Sequence, residues 1–316
     1  MNKIKSVLIS GSIAYDEIMD FPGEFVDYFH PEKLHQINVS FVVNKLEKQL
    51  GGTATNISYN LSQALNYLNK NIFIKVASTI GKDGKDFLNF FKRNKIDAIN
   101  IAQYHNLYTA TGKVITDKKD NQIWGFYYGA NKRAFNLNFQ KNNKNDNFII
   151  LSATHKNPFL HVQSQVITHK VPYLYDPGMT LTWISDKSLL KGVLNSKYLI
   201  GNDYEIAMIT KRIKKTIKEL TNYGLRIITT LGKQGVRYEE KNIKIEIKGY
   251  KVKNVIDPTG AGDAWRGGFI AGLVSDLKLK DCLKLGNILA SFSIESYGTV
   301  NHRPKKNEIG KRLKSL

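Results

Sequence analysis

Short apolar runs alternate with segments of helical spacing along most of this chain, and that alternation restricts the fold more than any other feature. The apolar runs lie at residues 7–10, 72–78, 148–152, 173–175, 198–200 and 225–230, and each is typical of a buried strand. Helical spacing covers residues 53–68, 84–94, 262–274 and 281–297, and a last helix is expected at 305–313. Strands joined through helices by short links form a mostly parallel sheet covered on both faces. The sequence therefore predicts an α/β fold.

Two stretches depart from this alternation. Residues 13–50 contain alternating apolar and polar positions, those at 37–43 among them, and no long helical pattern. Residues 109–116 and 122–128 flank Lys118-Lys-Asp-Asn121, which is typical of a hairpin turn. These pieces predict a small separate sheet. A further hairpin is expected over residues 236–247, and residues 141–146 are predicted to be an exposed polar loop.

Composition narrows the classes of function. The formal net charge of +20 suggests a nucleic-acid partner. However, lysine supplies 39 of the 47 basic residues and arginine only 8, whereas base readout and phosphate forks favour arginine. The lysines are also spread along the chain, so we expect no nucleic-acid partner and at most a mild attraction for anionic small molecules.

Other features exclude further classes. The single cysteine, Cys282, excludes an internal disulfide framework, and the seven histidines lack the spacing of zinc ligands. No apolar run approaches the ~18 residues of a membrane span, and the N-terminus lacks a signal-peptide pattern. We therefore expect a cytoplasmic protein without membrane association.

The strongest chemical signal is the string Asp257-Pro-Thr-Gly-Ala-Gly-Asp-Ala264, which precedes a helix rich in small residues. Glycines before a helix leave backbone N–H groups free to face an anion, and the helix dipole adds to the attraction. Such a site suits a phosphoryl group in transfer, because negative charge grows on its oxygens in the transition state. Asp263, in the first helical turn, can accept or orient the proton of an attacking hydroxyl. A plain glycine turn is the competing interpretation, and the full eight-residue string argues against it.

Two earlier strings are candidates for contacts with hydroxyl groups. Leu50-Gly-Gly-Thr-Ala-Thr-Asn-Ile57 opens the first long helix, where paired glycines allow close backbone approach and Asn56 offers both a donor and an acceptor. Asp16 follows the first strand, and its carboxylate can accept two hydrogen bonds from a vicinal diol. Taken alone, a turn followed by an N-terminal helix Asn is the better explanation of the first string, and a loop or capping Asp explains Asp16 equally well.

Two later strings are candidates for nucleotide phosphates. In Gly201-Asn-Asp-Tyr-Glu205, Asn202 and Glu205 lie one helical turn apart. A Glu near a triphosphate can hold Mg²⁺ through water, and a simple helix cap is the alternative. Thr229-Thr-Leu-Gly-Lys-Gln-Gly235 ends a strand in a glycine-rich turn that can cradle phosphates. The sequence contains no Walker A motif, dinucleotide-binding fingerprint or nucleophile elbow.

Taken in this order, the five strings resemble the PfkB carbohydrate kinase family, also called ribokinase-like, over essentially the whole chain. The resemblance implies a ribokinase-like α/β fold with residues 1–316 as one kinase domain. It also implies a small β-sheet lid, built from segments near 13–50 and 105–128. The implied reaction is transfer of the γ-phosphoryl of Mg-ATP to the hydroxymethyl group of a small-molecule acceptor, and many members also use a monovalent cation such as K⁺.

The resemblance also assigns roles to individual residues. Asp263 matches the catalytic base, and the N–H groups of Gly260, Ala261 and Gly262 match the anion hole. The contacts to sugar hydroxyls match Asp16, Gly52 and Asn56. The ATP-binding positions match Asn202, Glu205, Thr230, Gly232 and Gly235, with Glu205 holding Mg²⁺ through water. Asp257 matches a position beside the monovalent cation.

The N-terminal third resembles the bacterial adenosine kinase-like branch of that family. The resemblance rests on Gly11-Ser-Ile-Ala-Tyr-Asp16, Phe21-Pro-Gly-Glu-Phe25, Leu34-His35, Val39-Ser-Phe-Val42 and Phe126-Tyr-Tyr-Gly-Ala130. It implies a nucleoside acceptor, with adenosine as the best single candidate and purine salvage as the role. Phe126 on a lid strand could stack on a purine, and a place in the core of the lid is its alternative.

Two departures keep other acceptors open. Gly178-Met-Thr180 stands where amide side chains are expected, and Gly112 stands where a bulky residue is expected. A sugar kinase of the same fold or a kinase for another nucleoside therefore remains the alternative, and Lys132 and Arg133 could meet a second phosphate on a phosphosugar. A binding protein without turnover and a basic nucleic-acid-binding protein are more distant alternatives. Lid strands in this family sometimes pair between subunits, which leaves a homodimer open.

Overall fold

Two β-sheets and nine α-helices form the part of the chain that the computed structural model describes, namely residues 4–29, 38–119, 121–133, 135, 137 and 147–316. In chain order the strands are β1 (Ser6–Ser10), β2 (Ala14–Asp20), β3 (Lys45–Gly51), β4 (Phe73–Gly81), β5 (Ile96–Tyr104), β6 (Ala110–Thr116), β7 (Gln122–Tyr127), β8 (Asn147–Ser152), β9 (Tyr173–Asp176), β10 (Tyr198–Asn202), β11 (Arg226–Thr230), β12 (Val236–Glu240) and β13 (Ile243–Ile247). The helices are α1 (Thr53–Tyr67), α2 (Lys85–Arg93), α3 (Lys156–Thr168), α4 (Asp186–Asn195), α5 (Asp203–Ile213), α6 (Ile217–Asn222), α7 (Ala261–Val274), α8 (Leu279–Ser293) and α9 (Lys306–Lys314).

The large sheet has nine strands in the order β13-β12-β11-β10-β9-β8-β1-β4-β5. Every neighbouring pair from β11 to β5 is parallel, and only the pairs β11–β12 and β12–β13 are antiparallel. The predicted mostly parallel sheet is therefore confirmed. So is the hairpin over residues 236–247, which turns through Asn242 with a φ of 60°, a conformation that Asn tolerates better than most residues.

Helices cover both faces of this sheet, as side-chain alternation along its strands requires. Val7 and Ile9 of β1 pack in one buried cluster with Ile57 of α1 and Phe269 of α7. Leu8, between them, points to the opposite cluster, which contains side chains of α3, α4, α5 and α6. The three layers bury nearly every residue of the central strands, so the carboxyl ends of those strands are held in fixed positions. Among the described residues, no helix combines the length and apolarity needed to span a membrane.

The small sheet, called the lid sheet below, has the order β3-β2-β6-β7. Strands β2 and β6 are parallel, and the outer pairs are antiparallel. Register places Gln49, Asp16, Gly112 and Phe126 opposite one another across its four strands. Residues directly opposite in register share a face of a sheet, so these four positions form one row. The lid expected from the resemblance is confirmed.

Some predicted elements differ from the observed ones. Residues 38–43, part of the alternating stretch at 37–43, form no strand, because the Phe41 ring packs instead among Phe21, Phe25 and Tyr28. Strand β5 was not predicted, since polar residues interrupt its apolar pattern at the edge of the sheet. Helix α8 ends at Ser293, four residues before the expected 297. Leu34, His35 and the predicted loop at 141–146 lie outside the described residues.

Candidate active site

The predicted site residues gather at one edge of the large sheet, beyond the carboxyl ends of its parallel strands. Strands β1, β8, β9, β10 and β11 all end there, because each is parallel to its neighbour. The chain passes from β1 into lid strand β2 within three residues, and from β3 into α1 with only Gly52 between them. Crevices at this edge are the usual ligand sites of open α/β sheets.

Helix α7 begins at this edge, and two glycines shape its first turn for different reasons. Gly260, the N-cap, has a φ of +75°, a left-handed conformation that favours glycine. Gly262 has an ordinary helical backbone, but a Cβ on it would lie 2.7 Å from Nη1 of Arg266. Glycine is therefore favoured at 260 by the backbone conformation, and at 262 by the space that the Arg266 guanidinium occupies.

The N–H groups of this turn differ in availability. Ala261 donates to the carbonyl of Pro258 at 3.3 Å. Within the described part of the chain, the N–H groups of Gly260, Gly262 and Asp263 have no hydrogen-bond acceptor. Free N–H groups at a helix N-terminus favour an anion. Two of the three predicted anion-hole residues thus have a free donor, and Asp263 adds a third.

Asp263 is oriented by two hydrogen bonds in series, which start from Thr299 in the segment after α8. Its Oδ2 accepts a hydrogen bond of 2.9 Å from Nδ2 of Asn56 on α1. The Oδ1 atom of Asn56 accepts one of 2.8 Å from the hydroxyl of Thr299. This second bond fixes which way the amide faces, so that its NH₂ group points at the carboxylate. Asn56 and Asp263 are thus direct partners, although 207 positions separate them in the chain.

Asp16 on the lid sheet lies near enough to Asp263 for the charge of that carboxylate to act on it. Burial, followed by the negative charges of Asp257 and Asp263, raises the pKa of Asp16 to about 7. Burial also raises the pKa of Asp263 to about 6, although Arg266 and the hydrogen bond from Asn56 act to lower it. Both carboxyl groups thus titrate close to neutral pH.

The glycines before α1 are required by close packing. A Cβ on Gly51 would lie 2.2 Å from Oδ2 of Asp16. Gly52 has a φ of +88°, and a Cβ there would lie 2.5 Å from the carbonyl oxygen of Ser12. Neither position accepts a side chain without moving backbone or the Asp16 carboxylate, so this pair of glycines fixes how closely β3 approaches the site.

Asp257 ties two loops together beside the site. Its Oδ1 accepts the N–H of Thr259 at 2.9 Å, and its Oδ2 accepts the N–H of Gly298 at 3.0 Å. Among the described residues, no group of three or more His, Cys, Asp or Glu side chains is arranged to hold a metal ion. A cation at this edge would therefore depend on backbone carbonyls, water or a ligand for most of its coordination.

The residues predicted to bind nucleotide lie after β10 and β11. Asn202 and Glu205 form a capping box at the start of α5, in which each side chain accepts the other's backbone N–H at 2.8 Å. Only Oε2 of Glu205 is engaged there, so within the described residues Oε1 has no hydrogen-bond donor. The charge of Glu205 nevertheless reaches Asp263 and contributes to its raised pKa. The capping role and a role toward a hydrated cation are therefore compatible.

The glycine-rich turn after β11 lies next to this capping box. Thr230 is the register partner of Asn202. Gly232 and Gly235 have φ values of +55° and +104°, and a Cβ on Gly235 would lie 2.1 Å from the carbonyl oxygen of Ile247. Glycine is thus required at 235 for both space and backbone conformation. The structure brings the five predicted nucleotide positions to the ends of two neighbouring strands.

Three further residues of this site were not predicted from the sequence. Arg266 of α7 is only 8% exposed, and its Nη2 contacts Oδ1 of Asp176 at 2.5 Å. Asp176, 3% exposed, also accepts a hydrogen bond of 2.6 Å from the hydroxyl of Ser152. The available signals were a charged residue inside an otherwise small and apolar helix, and an Asp directly after an apolar strand.

The inner face of the lid carries the remaining candidate. The ring of Phe126 is 41% exposed and packs edge-on against Tyr128, with 4.9 Å between centroids. Tyr128 in turn packs against His155, whose pKa is lowered by burial and then by Lys132. Gly112 lies between Phe126 and Asp16 in register. Met179 lies in a short 3-10 turn after β9 and is 60% exposed.

Comparison with known proteins gives a consistent result. Residues 14–306 match the pfkB family of carbohydrate kinases. A nucleoside kinase from Methanocaldococcus jannaschii is 27% identical over 292 residues, which cover 91% of this chain and 93% of that enzyme. The crystal structure of a Methanocaldococcus jannaschii nucleoside kinase superposes with a TM-score of 0.86 at 24% identity and covers 100% of both chains.

A second solved structure contains bound molecules. The nucleoside kinase of Burkholderia thailandensis in complex with inosine superposes with a TM-score of 0.81 at 25% identity, covering 98% of this chain and 97% of that one. The same enzyme has been solved in complex with ADP-inosine.

Proposed function

Since this chain belongs to the pfkB family of carbohydrate kinases, a family of ATP-dependent phosphotransferases, we propose that it phosphorylates the 5′-hydroxymethyl group of a nucleoside. Adenosine is the first candidate among the acceptors. The observation that carries this proposal is the pair formed by Asp263 and the free N–H groups of α7, opposite the carboxylate of Asp16.

Asp263 is the proposed general base. The acceptor oxygen forms a bond to the γ-phosphorus, the bond from that phosphorus to the β,γ-bridging oxygen breaks, and the proton of the hydroxyl passes to Asp263. A base with a pKa of about 6 is ionised at neutral pH yet strong enough to take a proton in the transition state. The bond from Asn56 fixes the direction of its carboxylate.

The first turn of α7 is the proposed anion hole. The free N–H groups of Gly260, Gly262 and Asp263 are aligned with the positive end of the helix dipole, where charge on the transferring phosphoryl oxygens is stabilised. Ala261 joins them only when its 3.3 Å bond to Pro258 is exchanged for one to the phosphate. This is a refinement of the three-residue hole that the sequence suggested.

Asp16 is the proposed acceptor-binding residue, together with Gly52 and Asn56. An ionised carboxylate can take two hydrogen bonds from the vicinal hydroxyls of a ribose. The charge of Asp263 acts on Asp16, which supports a sugar bound between the lid and the catalytic turn. Binding of a diol also compensates the cost of ionising a buried carboxyl group.

The row across the lid sheet favours a nucleoside over a plain sugar. Gly112, itself buried, interrupts the row of side chains between Asp16 and Phe126. This gap in the row suits a base attached to a ribose held by Asp16. The exposed ring of Phe126 borders that gap, and aromatic stacking contributes about 0.5–1.5 kcal/mol beyond burial. A sugar kinase of the same fold is the second candidate, because the exposed Met179 offers no amide to read a base edge.

The nucleotide side fits ATP and Mg²⁺. We assign the ATP contacts to Thr230, Gly232 and Gly235 and to the capping box of Asn202 and Glu205. The free Oε1 of Glu205 suits a water-mediated Mg²⁺ ion, which supplies neutralisation of phosphate charge when bound. Asp257 is a candidate for a monovalent cation such as K⁺, since positive charge there would relieve the cluster of Asp16, Asp257 and Asp263.

ADP release from Mg-ATP tests the proposal with a panel of adenosine, inosine, guanosine, cytidine, ribose, fructose and fructose 6-phosphate. The Asp263→Asn protein serves as the blank. We expect turnover with nucleosides, adenosine first, and little with free sugars. Preference for ribose or fructose would select the sugar kinase, and no ADP release with any acceptor would contradict the kinase assignment.

A further inference from the structure

We propose that Arg266, held by Asp176, is a positioning residue for phosphoryl transfer, whose guanidinium lies beneath the first turn of α7 and sets the charge environment of Asp263 and the anion hole. This inference rests on the proposed function of Asp263. The proposed mechanism above uses neither Arg266 nor Asp176.

The location of Arg266 is unusual for an arginine. It follows Asp263 by three positions, so both side chains lie on the same side of α7. Its neighbours on the helix are small or apolar, and it is 8% exposed. Burial of a guanidinium costs free energy of folding unless the charge is paired. An arginine at this position therefore indicates a role that an apolar side chain cannot fill.

The guanidinium is held from the ends of two strands. Nη2 contacts Oδ1 of Asp176 at the end of β9 at 2.5 Å. The other oxygen of Asp176 accepts the hydroxyl of Ser152 at the end of β8, at 2.6 Å. Asp176 is therefore fixed on both oxygens, and the arginine head is fixed with it. Among the described residues, the buried Nε of Arg266 has no partner, so the pair with Asp176 leaves a donor unused.

Arg266 also lies against the first turn of α7, which is the proposed anion hole. Nη1 of Arg266 lies 2.7 Å from the point that a Cβ on Gly262 would occupy. Gly262 has no need of glycine for its backbone, since its φ is not positive. Because Gly262 has no side chain, the guanidinium of Arg266 can lie directly against the turn whose N–H groups are free.

The positive charge of Arg266 matters because the other charged groups around Asp263 are acidic. Asp16 faces it from the lid sheet, Asp176 from β9 and Glu205 from α5, and all three are acidic. Arg266 is the one cation among the charged groups that act on Asp263 in the described residues, and it lowers the pKa that burial, Asp176 and Glu205 raise. Without Arg266, more of the carboxyl would be protonated near neutral pH.

The test is the pH dependence of kcat, measured with saturating Mg-ATP and acceptor. We expect Arg266→Met to lower kcat about 10–100-fold near neutral pH and to move the acid limb of the profile to higher pH. We expect Asp176→Asn to move the same limb to lower pH, because Asp176 raises the pKa of Asp263. Arg266→Lys keeps the charge but loses the fork, so its limb should lie between those of the wild type and Arg266→Met.

Arg312→Met is the matched control. Arg312 also pairs with a carboxylate, that of Glu295, and is largely buried, but its partners lie on and after α8. It should lower the melting temperature without moving the acid limb. If Arg266→Met does not fold, the double variant Asp176→Asn/Arg266→Met removes both charges together and leaves no unpaired ion. A wild-type kcat and acid limb in folded Arg266→Met would overturn the proposal, as would a double variant whose kcat and acid limb equal those of Asp176→Asn.

A readout without turnover separates this inference from the proposed function. The carboxyl ¹³C signal of Asp263, assigned by its loss in Asp263→Asn, can be titrated in the wild type and in the Arg266 variants. A higher titration midpoint without Arg266 supports the inference even where no acceptor is phosphorylated. An unchanged midpoint rejects it even where the wild type is an active kinase.

Discussion

Two sides of the proposed site are assembled differently. The proposed phosphoryl side comprises Asp263, Arg266 and the first turn of α7, and the proposed acceptor side comprises Asp16, Gly112 and Phe126 on the lid sheet. The phosphoryl side lies within ten consecutive residues and is buried, with its side chains held by hydrogen bonds. The acceptor side combines three strands, and only their register brings its residues into one row. Local structure thus brings the residues of the phosphoryl side together, although the partners that hold them, Asn56 and Asp176, are distant in the chain. On the acceptor side, the residues themselves meet only through pairing between distant segments.

This difference has a functional consequence under the proposed mechanism. Changes on the phosphoryl side should lower turnover with every acceptor, because every acceptor uses the same base and anion hole. Changes on the acceptor side should distinguish acceptors by what they carry beyond the reacting hydroxyl. The predictions below test that division, from the largest expected effect to the smallest.

Asp263→Asn should lower kcat by about 10²–10⁴-fold with all acceptors, the usual effect of removing a positioned base. ATP binding, measured by calorimetry, should remain nearly unchanged, because the N–H groups of α7 and the turn after β11 are untouched. The amide keeps the size of the side chain and can still contact Asn56. A near-normal kcat would contradict the role of Asp263 and with it the division between the two sides.

Asp16→Ala should mainly reduce kcat/KM for the acceptor, by about 10²-fold, because hydrogen bonds to a charged group contribute about 1.5–3 kcal/mol each. The effect should be similar for ribose and for nucleosides, since both present the diol. The apparent affinity for ATP should change little. An effect confined to ATP would show that Asp16 does not bind the acceptor hydroxyls.

The phosphoryl side could be predicted from the sequence for two reasons. Its residues are contiguous, and the glycine-containing string at 257–264 has few alternative structural interpretations. Even there Arg266 escaped prediction, since its partner Asp176 lies 90 positions away and only the fold joins β9 to α7. The large sheet followed from the alternation of apolar runs. Strand β5 did not, because an edge strand needs fewer apolar residues and its pattern is weaker.

Gly112 shows most clearly what could not be predicted from the sequence. From sequence it counts as the loss of a bulky residue and hence as weaker recognition of a base. The register places it between Asp16 and Phe126, where under the proposed function the absent side chain lies beside the base. Register depends on how two distant segments pair, and no local pattern in residues 109–116 or 122–128 encodes it.

The stability of the fold should also depend on Asp16. The folded protein raises the pKa of this carboxyl to about 7, so ionisation costs stability as pH rises from the unfolded value toward the folded one. Asp16→Asn does not titrate and should be more stable than the wild type by up to about 4 kcal/mol at pH 8, with a smaller difference near pH 4. Denaturant unfolding at the two pH values measures this. A pH-independent difference would show that the carboxyl titrates alike in the folded and unfolded protein.

Gly112→Leu should raise the KM for nucleosides about tenfold, because an overpacked site costs about 1–3 kcal/mol. The KM for ribose should change less than about twofold, since the diol site at Asp16 remains open and ribose carries no base to fill the gap. Gly112 is buried, but its backbone does not have a positive φ, so the strand conformation itself accepts a leucine. Phe126→Leu is the matched control, because it keeps an apolar side chain beside the gap but removes the ring. It should raise the nucleoside KM only a few-fold. If Gly112→Leu affects ribose and nucleosides equally, then the leucine disturbs Asp16 itself, and the row across the lid sheet does not separate base from sugar.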